Sequence, residues 1–132
     1  MDLRSYKTDL TVSEEGVWVD MGEGCQLLVA RKGNQKFARK LKALIKPYQR
    51  QIDMNTMSDD LANKLLAEAM AYGILLDWKG LKLDGKEIKY SPEKAQELLN
   101  DPELIDFRNA VDQLSDDREQ FRTESIEAAE KN

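Results

Sequence analysis

Val17-Trp18-Val19-Asp20-Met21 and Gln26-Leu27-Leu28-Val29-Ala30 flank a break at Gly22-Glu23-Gly24. Two short runs of β-branched, aromatic and aliphatic residues around a glycine-containing turn predict a β-hairpin. Side chains alternate along a strand, so Val17, Val19 and Met21 share one face and Trp18 stands on the other. An isolated hairpin is marginal in water, so the rest of the chain has to cover at least one of its faces. Beyond Gly33 the chain reads mostly as helix. The expected class is therefore a small single α+β domain, mainly α-helical.

Gly33-Asn34 marks the next boundary, with Asn34 as an N-cap. Phe37, Leu41, Leu44, Ile45 and Tyr48 recur at helical spacing among lysines and arginines, which predicts a basic amphipathic helix within 34–50. Pro47 should bend or end it near Lys46, because proline lacks the backbone donor and clashes with the preceding turn. The stretch on to Met57 reads as a linker or a second short helix. Ser58-Asp59-Asp60 sets a capping serine before two acids that suit the positive end of a helix dipole. Leu61, Leu65, Leu66, Ala69, Met70 and Leu76 then form the broad stripe of a core helix, closed by Asp77-Trp78-Lys79-Gly80. Gly73 inside that helix costs ~1 kcal/mol relative to alanine. Either a neighbour approaches closely there or the helix tightens.

Asp84-Gly85 lies between alternating residues in 81–90, and the type I′ turn it favours predicts a second, short hairpin. Leu83 then faces Lys86, Lys82 faces Glu87 and Leu81 faces Ile88, with Leu81, Leu83, Ile88 and Tyr90 on one side. Ser91-Pro92-Glu93 caps a short helix whose buried side is Ala95, Leu98 and Leu99, and Asn100-Asp101-Pro102-Glu103 repeats the device. Leu104, Phe107, Val111, Leu114 and Phe121 come next at spacings of a coiled-coil kind, on what reads as a long acidic C-terminal helix. The seam should pack on the chain's own core to about Leu114. Beyond Asp116 the apolar density falls, and Phe121 and Ile126 suit a partner or a fraying end. The expected organisation is a flexible arm over 1–13, a globular domain over 14–115 and an acidic, partly frayed helix over 116–132.

The chain has 132 residues, of which 41% are hydrophobic and 34% charged, enough for one thinly cored domain. Histidine is absent, which excludes Ser–His–Asp and Cys–His nucleophile pairs and every histidine metal site. The single cysteine, Cys25, excludes an internal disulfide or a thiolate zinc cluster, and it reads as a small strand residue in a reducing compartment. No phosphate-binding glycine motif and no D-x-D spacing occurs. No apolar run approaches the ~18 residues of a membrane-spanning helix. These observations predict a cytosolic protein that is not an enzyme, with no cofactor, no metal and no membrane partner.

Charge is unevenly placed. The segment 31–50 holds eight basic residues and no acid, whereas 101–132 holds ten acids against Arg108, Arg118, Arg122 and Lys131. These segments are solvated helix faces, or they attract each other within one chain or between copies. The net charge of −5 argues against coating nucleic acid through bulk charge. A small nucleic-acid-binding regulator using the basic helix 34–50 is the alternative reading, although Phe37 and Tyr48 fall on the apolar stripe.

The ordered set Glu15-Gly16-Val17-Trp18-Val19-Asp20, Leu28-Val29-Ala30-Arg31-Lys32-Gly33-Asn34, Leu75-Leu76-Asp77-Trp78-Lys79-Gly80-Leu81, Tyr90-Ser91-Pro92-Glu93, Leu98-Leu99-Asn100-Asp101-Pro102 and Glu130-Lys131-Asn132 resembles the tail assembly chaperones of long-tailed bacteriophages. The likeness runs from Glu15 onward. It implies a non-enzymatic protein of the host cytoplasm that is absent from the mature virion. Such a protein binds the helical, aggregation-prone tape measure protein. It helps recruit tail tube subunits, mainly through a longer form made by ribosomal frameshifting. The expected contact residues are the seam Leu104, Phe107, Val111, Leu114 and Phe121, the basic face Lys36, Arg39 and Lys40, and the exposed Trp18, with weak self-association between copies. Glu130-Lys131-Asn132 can be encoded GAA AAA AAC, which contains the slippery heptamer A AAA AAC. The gene is expected to carry that string, and a GAG, AAG or AAU codon found there on sequencing removes this slip site.

Overall fold

The computed structural model describes residues 1–130. Strand β1 (Val17–Gly22) pairs antiparallel with β2 (Cys25–Val29), placing Val17 opposite Val29, Trp18 opposite Leu28 and Val19 opposite Leu27. The hairpin is as the sequence predicts, with an added bulge between Asp20 and Gly22 where the Asp20 carboxylate accepts the Gly22 N–H at 2.9 Å. Helix α1 (Leu10–Glu15) precedes it, and α2 (Gln35–Ile45) succeeds it under an Asn34 cap. Pro47 sits in a 3-10 turn, Lys46–Tyr48, that ends α2 as expected and leads into the short α3 (Gln49–Asp53). Helix α4 (Asp59–Gly73) starts where Ser58 Oγ accepts the Leu61 N–H at 3.2 Å.

α4 does not continue to Asp77. It stops at Gly73, and Leu75–Lys79 forms β3 on the free side of β2, giving the sheet order β1-β2-β3. The reason is tertiary. α2 crosses α4 so closely at its end that a Cβ on Gly73 would lie 2.7 Å from Phe37 Cα. Asn34 Nδ2 donates to the Gly73 carbonyl at 2.9 Å, and the Ala30 N–H donates to the Ile74 carbonyl at 2.8 Å, turning the chain into the sheet. The Leu75 and Trp78 side chains are then buried with Leu27 and Val29 against α4. Helical period and strand alternation both fit so short an apolar run. Pairing with β2 selects the strand.

β4 (Lys82–Leu83) and β5 (Lys86–Glu87) pair in the expected register, with Asp84 at φ 53° and Gly85 at φ 76°. α5 (Pro92–Asn100) buries Ala95, Leu98 and Leu99. After a 3-10 turn capped by Asp101, α6 spans Ile105–Ser115. The fold is thus a small α+β domain, mainly helical, with the core between one face of the sheet and helices α2, α4, α5 and α6.

Two expectations about the chain's ends are corrected. The acidic C-terminal segment is not one long helix: α6 ends at Ser115, a 3-10 turn spans Arg118–Phe121, and α7 spans Thr123–Glu130. Asp116 and Asp117 act as turn residues there, the Asp117 carboxylate capping the new turn through the Glu119 N–H. The break turns Phe121 inward to complete burial. Nor are residues 1–13 a loose arm. The Asp9 N–H donates to the Phe121 carbonyl at 2.8 Å, the Thr123 N–H donates to the Lys7 carbonyl at 2.9 Å, and Thr8 bridges Arg122. Arg4 also reaches Glu127 at 3.2 Å and Glu124 at 3.6 Å. The extended backbone beside Phe121 offers polar groups that the N-terminal residues satisfy. Lys131 and Asn132, part of the slip-site reading, lie outside the described residues.

Gly73→Ala is expected to destabilise the fold by about 1–3 kcal/mol through overpacking against Phe37 backbone. Phe121→Ala should cost about 3–5 kcal/mol, whereas Trp18→Ala at the surface should cost less than ~1 kcal/mol. Urea denaturation midpoints of the three variants, at unchanged m, check the ordering.

Candidate interaction site

The expected seam divides. Val111 and Phe121 are fully buried, and Leu104, Phe107 and Leu114 are half-buried against the core. A continuous exposed stripe on a C-terminal helix therefore does not exist, because α6 uses the Val111 side to close the core and Phe121 belongs to a separate turn. Leu104 and Phe107 nevertheless reach the surface from below. With Leu81, Leu83, Ile88 and Leu98 they line a depression of about 90 Å³ under the β4–β5 hairpin. A wider opening of about 380 Å³, lined by Met21, Cys25, Leu27, Leu81 and Phe107 among others, adjoins it. The two share Leu81, Lys82 and Phe107, so they form one groove from the β1–β2 turn to α6, apolar under the hairpin and joined by Glu23 and Lys82 in its wider part. At its mouth Leu83 is 47% exposed and Met21 43% exposed.

The hairpin wall is held by hydrogen bonds that a two-residue-per-strand ribbon could not supply alone. The Ile88 N–H donates to the Leu81 carbonyl at 2.8 Å, and Trp78 Nε1 donates to the Ile88 carbonyl at 2.7 Å. The Tyr90 hydroxyl donates to the Leu75 carbonyl at 3.2 Å, and the Trp78 and Tyr90 rings meet edge-on with centroids 4.8 Å apart. These aromatics floor a larger cleft of about 570 Å³ along β3. Their polar ends are both taken by backbone carbonyls, so the aromatic pair is a strut between sheet and hairpin. Burial, then the charges of Asp77 and Glu93, push the Tyr90 hydroxyl above its ordinary pKa.

Cys25 stands in the groove. Burial and, second, the Asp20 carboxylate push its thiol pKa up, which keeps it protonated and a poor nucleophile near neutral pH.

The basic face lies elsewhere. Lys36 and Lys40, one turn apart on α2, place their ammonium nitrogens 4.8 and 5.1 Å from the centroid of the Tyr72 ring. Arg39 lies beside them, its Nη2 donating to Gln35 Oε1 at 2.9 Å. Trp18, 39% exposed on the open face of the sheet, lines neither surface and lies under the Lys79 ammonium at 4.3 Å. Sequence spacing does not single out Met21, Leu81 and Leu83 as contact residues. Their signal is the shared apolar side of each hairpin, but which side stays uncovered depends on where α6 packs. Tyr72 carries no signal, since it sits off the apolar stripe of α4.

Among the described residues no group of three or more Cys, Asp or Glu side chains is placed to hold a metal ion, and no helix is long and apolar enough to cross a membrane. A protein-family model described as YdaY prophage protein matches residues 32–132. That stretch holds the basic face and the α5, α6 and β4–β5 walls of the groove. No curated protein and no solved structure matches the chain.

Alkylation of Cys25 by iodoacetamide at pH 8 should run slower than that of a free cysteine, because the raised pKa leaves less thiolate. The rate should climb as pH rises further, and a rate equal to free cysteine contradicts the placement.

Proposed function

The chain belongs to the YdaY prophage protein family and is therefore phage-related, and from that premise we propose that it is a non-enzymatic tail assembly chaperone for the tape measure protein. The observation that carries this reading is the apolar groove, whose large side chains Met21 and Leu83 stay exposed on a chain that is otherwise 34% charged. Exposed apolar side chains lining a groove mark places where another molecule docks. An amphipathic client helix lays its apolar ridge into such a groove and hides it from water and from other client chains. Several copies bound weakly along one long client raise the overall affinity without any single tight contact.

Nothing in this mode of action needs a reaction. The lining supplies mainly aliphatic and aromatic contact, and the raised pKa of the Cys25 thiol leaves it little nucleophilic character near neutral pH. The resemblance to tail assembly chaperones supplies the rest of the proposal: work in the host cytoplasm, absence from the mature virion, and tail tube recruitment mainly through a longer frameshifted form. The second reading, a nucleic-acid-binding regulator, draws on the lysines of α2 around Tyr72. It predicts gel shifts that weaken steeply with salt.

Met21→Asp with Leu83→Asp should abolish co-purification with a co-expressed tape measure protein while far-UV circular dichroism stays native, since both residues are at the surface. Phe121 cannot serve this purpose because its burial makes an aspartate there unfold the domain. Binding retained by the double variant at wild-type level sinks the groove as the client site. Client occupancy should also slow Cys25 alkylation.

A further inference from the structure

We propose that the basic face of α2 docks the acidic outer face of α6 on a second copy of this chain. The surface is separate from the apolar groove, and the inference does not depend on which client the groove takes.

The two faces are unbalanced within one molecule. Of the eight cations in 31–50, only Lys32 meets a carboxylate among the described residues, Asp112 at 3.1 Å. Lys36 and Arg39 remain exposed, with Lys40 half-exposed beside them. On the other side, α6 buries Arg108, Val111 and Ser115 and turns Asp106, Asn109 and Gln113 to solvent, with Glu103 and Asp116 exposed at its two ends. From the turn before α6 to the residue that ends it, that ridge holds three exposed carboxylates and no cation. Among the described residues none of the three forms an ion pair. The two surfaces are therefore complementary in sign, one on the solvent side of α2 and the other along α6 and the turns that flank it.

Tyr72 makes the basic face more than a charge run. Like charges one helical turn apart repel. Here both ammoniums are drawn over one exposed aromatic ring, which is 47% accessible and leaves their outer sides free. Two flexible side chains are thereby held before a partner arrives, and less rotamer entropy is lost on contact. A carboxylate-bearing protein surface suits this face better than nucleic acid, because the chain's overall charge of −5 repels a phosphate backbone elsewhere. Since donor and acceptor surfaces are different patches, the contact is heterologous. Each joined pair keeps one free face of each sign, so the association can repeat.

Sedimentation velocity on the purified full chain, with no client present, tests the contact. At ionic strength near 0.01 M, where the Debye length is about 30 Å, the weight-average mass should rise with concentration. Near 1 M salt, where that length is about 3 Å, the chain should return to monomer. The triple variant Lys36→Glu, Arg39→Glu, Lys40→Glu and the double variant Asp106→Lys, Asp116→Lys should each stay monomeric alone, while their equimolar mixture associates. Tyr72→Leu should weaken wild-type association several-fold. If a multiple variant loses its native circular dichroism, Arg39→Glu alone reads the same contact. A wild type that stays monomeric at low salt, a mixture that fails to associate, or association unchanged in the reversed variants each overturns the proposal. So does a single-stranded oligonucleotide bound through the same three cations by a chain that remains monomeric. None of these outcomes bears on client capture, which is read by Met21 and Leu83.

Discussion

The absence of a side chain at Gly73 is the constraint on which the rest of the architecture depends. Phe37 Cα, Cβ and N all lie within 2.9 Å of where a Cβ would stand, so α2 and α4 touch backbone to backbone at that point. Asn34 fixes the junction with three hydrogen bonds. Its Oδ1 caps α2 through the Phe37 N–H at 2.9 Å, and its Nδ2 reaches the carbonyls of Arg31 at 2.7 Å and Gly73 at 2.9 Å. One buried amide thus starts one helix and ties off the end of another. The chain leaving Gly73 has little choice but to enter the sheet, where Leu75 and Trp78 complete the core over Leu27 and Val29. A bulkier residue at 73 would separate the helices and also shift the strand that carries Trp78, and with it the strut that holds the β4–β5 hairpin.

From that junction the two surfaces of interest diverge. α2 presents its solvent side as a cationic ridge, because Phe37 and Leu41 face α4 and every long polar side chain is left outside. The groove arises at the far end of the sheet, where the β1–β2 turn, the β4–β5 hairpin and α6 meet without filling the space between them. Each is built on rigid elements and neither borrows a residue from the other. The two surfaces therefore share no side chain, and a change in one leaves the other as it was.

Local chemistry was legible in the sequence. Ser58, Ser91-Pro92, Asn34 and Asp84-Gly85 each dictate a cap or a turn within four residues of themselves, and each does so in the structure. Non-local choices were not. Leu75-Leu76 satisfies both helical and strand periodicity, and only the unpaired edge of β2, 46 positions before it from Val29 to Leu75, decides between them. Asp116-Asp117 reads as part of an acidic run, and its role as a turn emerges only when Phe121 is seen to be needed inside. The same holds for the candidate site. Leu104 and Phe107 could be named from spacing, but that they are reached through a groove under Leu81 and Leu83 depends on where the hairpin is pinned. Sequence spacing placed Phe121 on the same seam, and packing took it away.

Trp78 has a use beyond structure. Its indole nitrogen is bonded to the backbone of the hairpin wall, and its ring is buried, while Trp18, the second tryptophan of the chain, stands partly in solvent under a lysine. The two fluorophores therefore report on separate parts of one molecule. Anything that prises the hairpin from the sheet alters the emission of the interior indole and leaves its exposed counterpart as an internal reference. The protein carries its own optical gauge of whether that wall is open or shut.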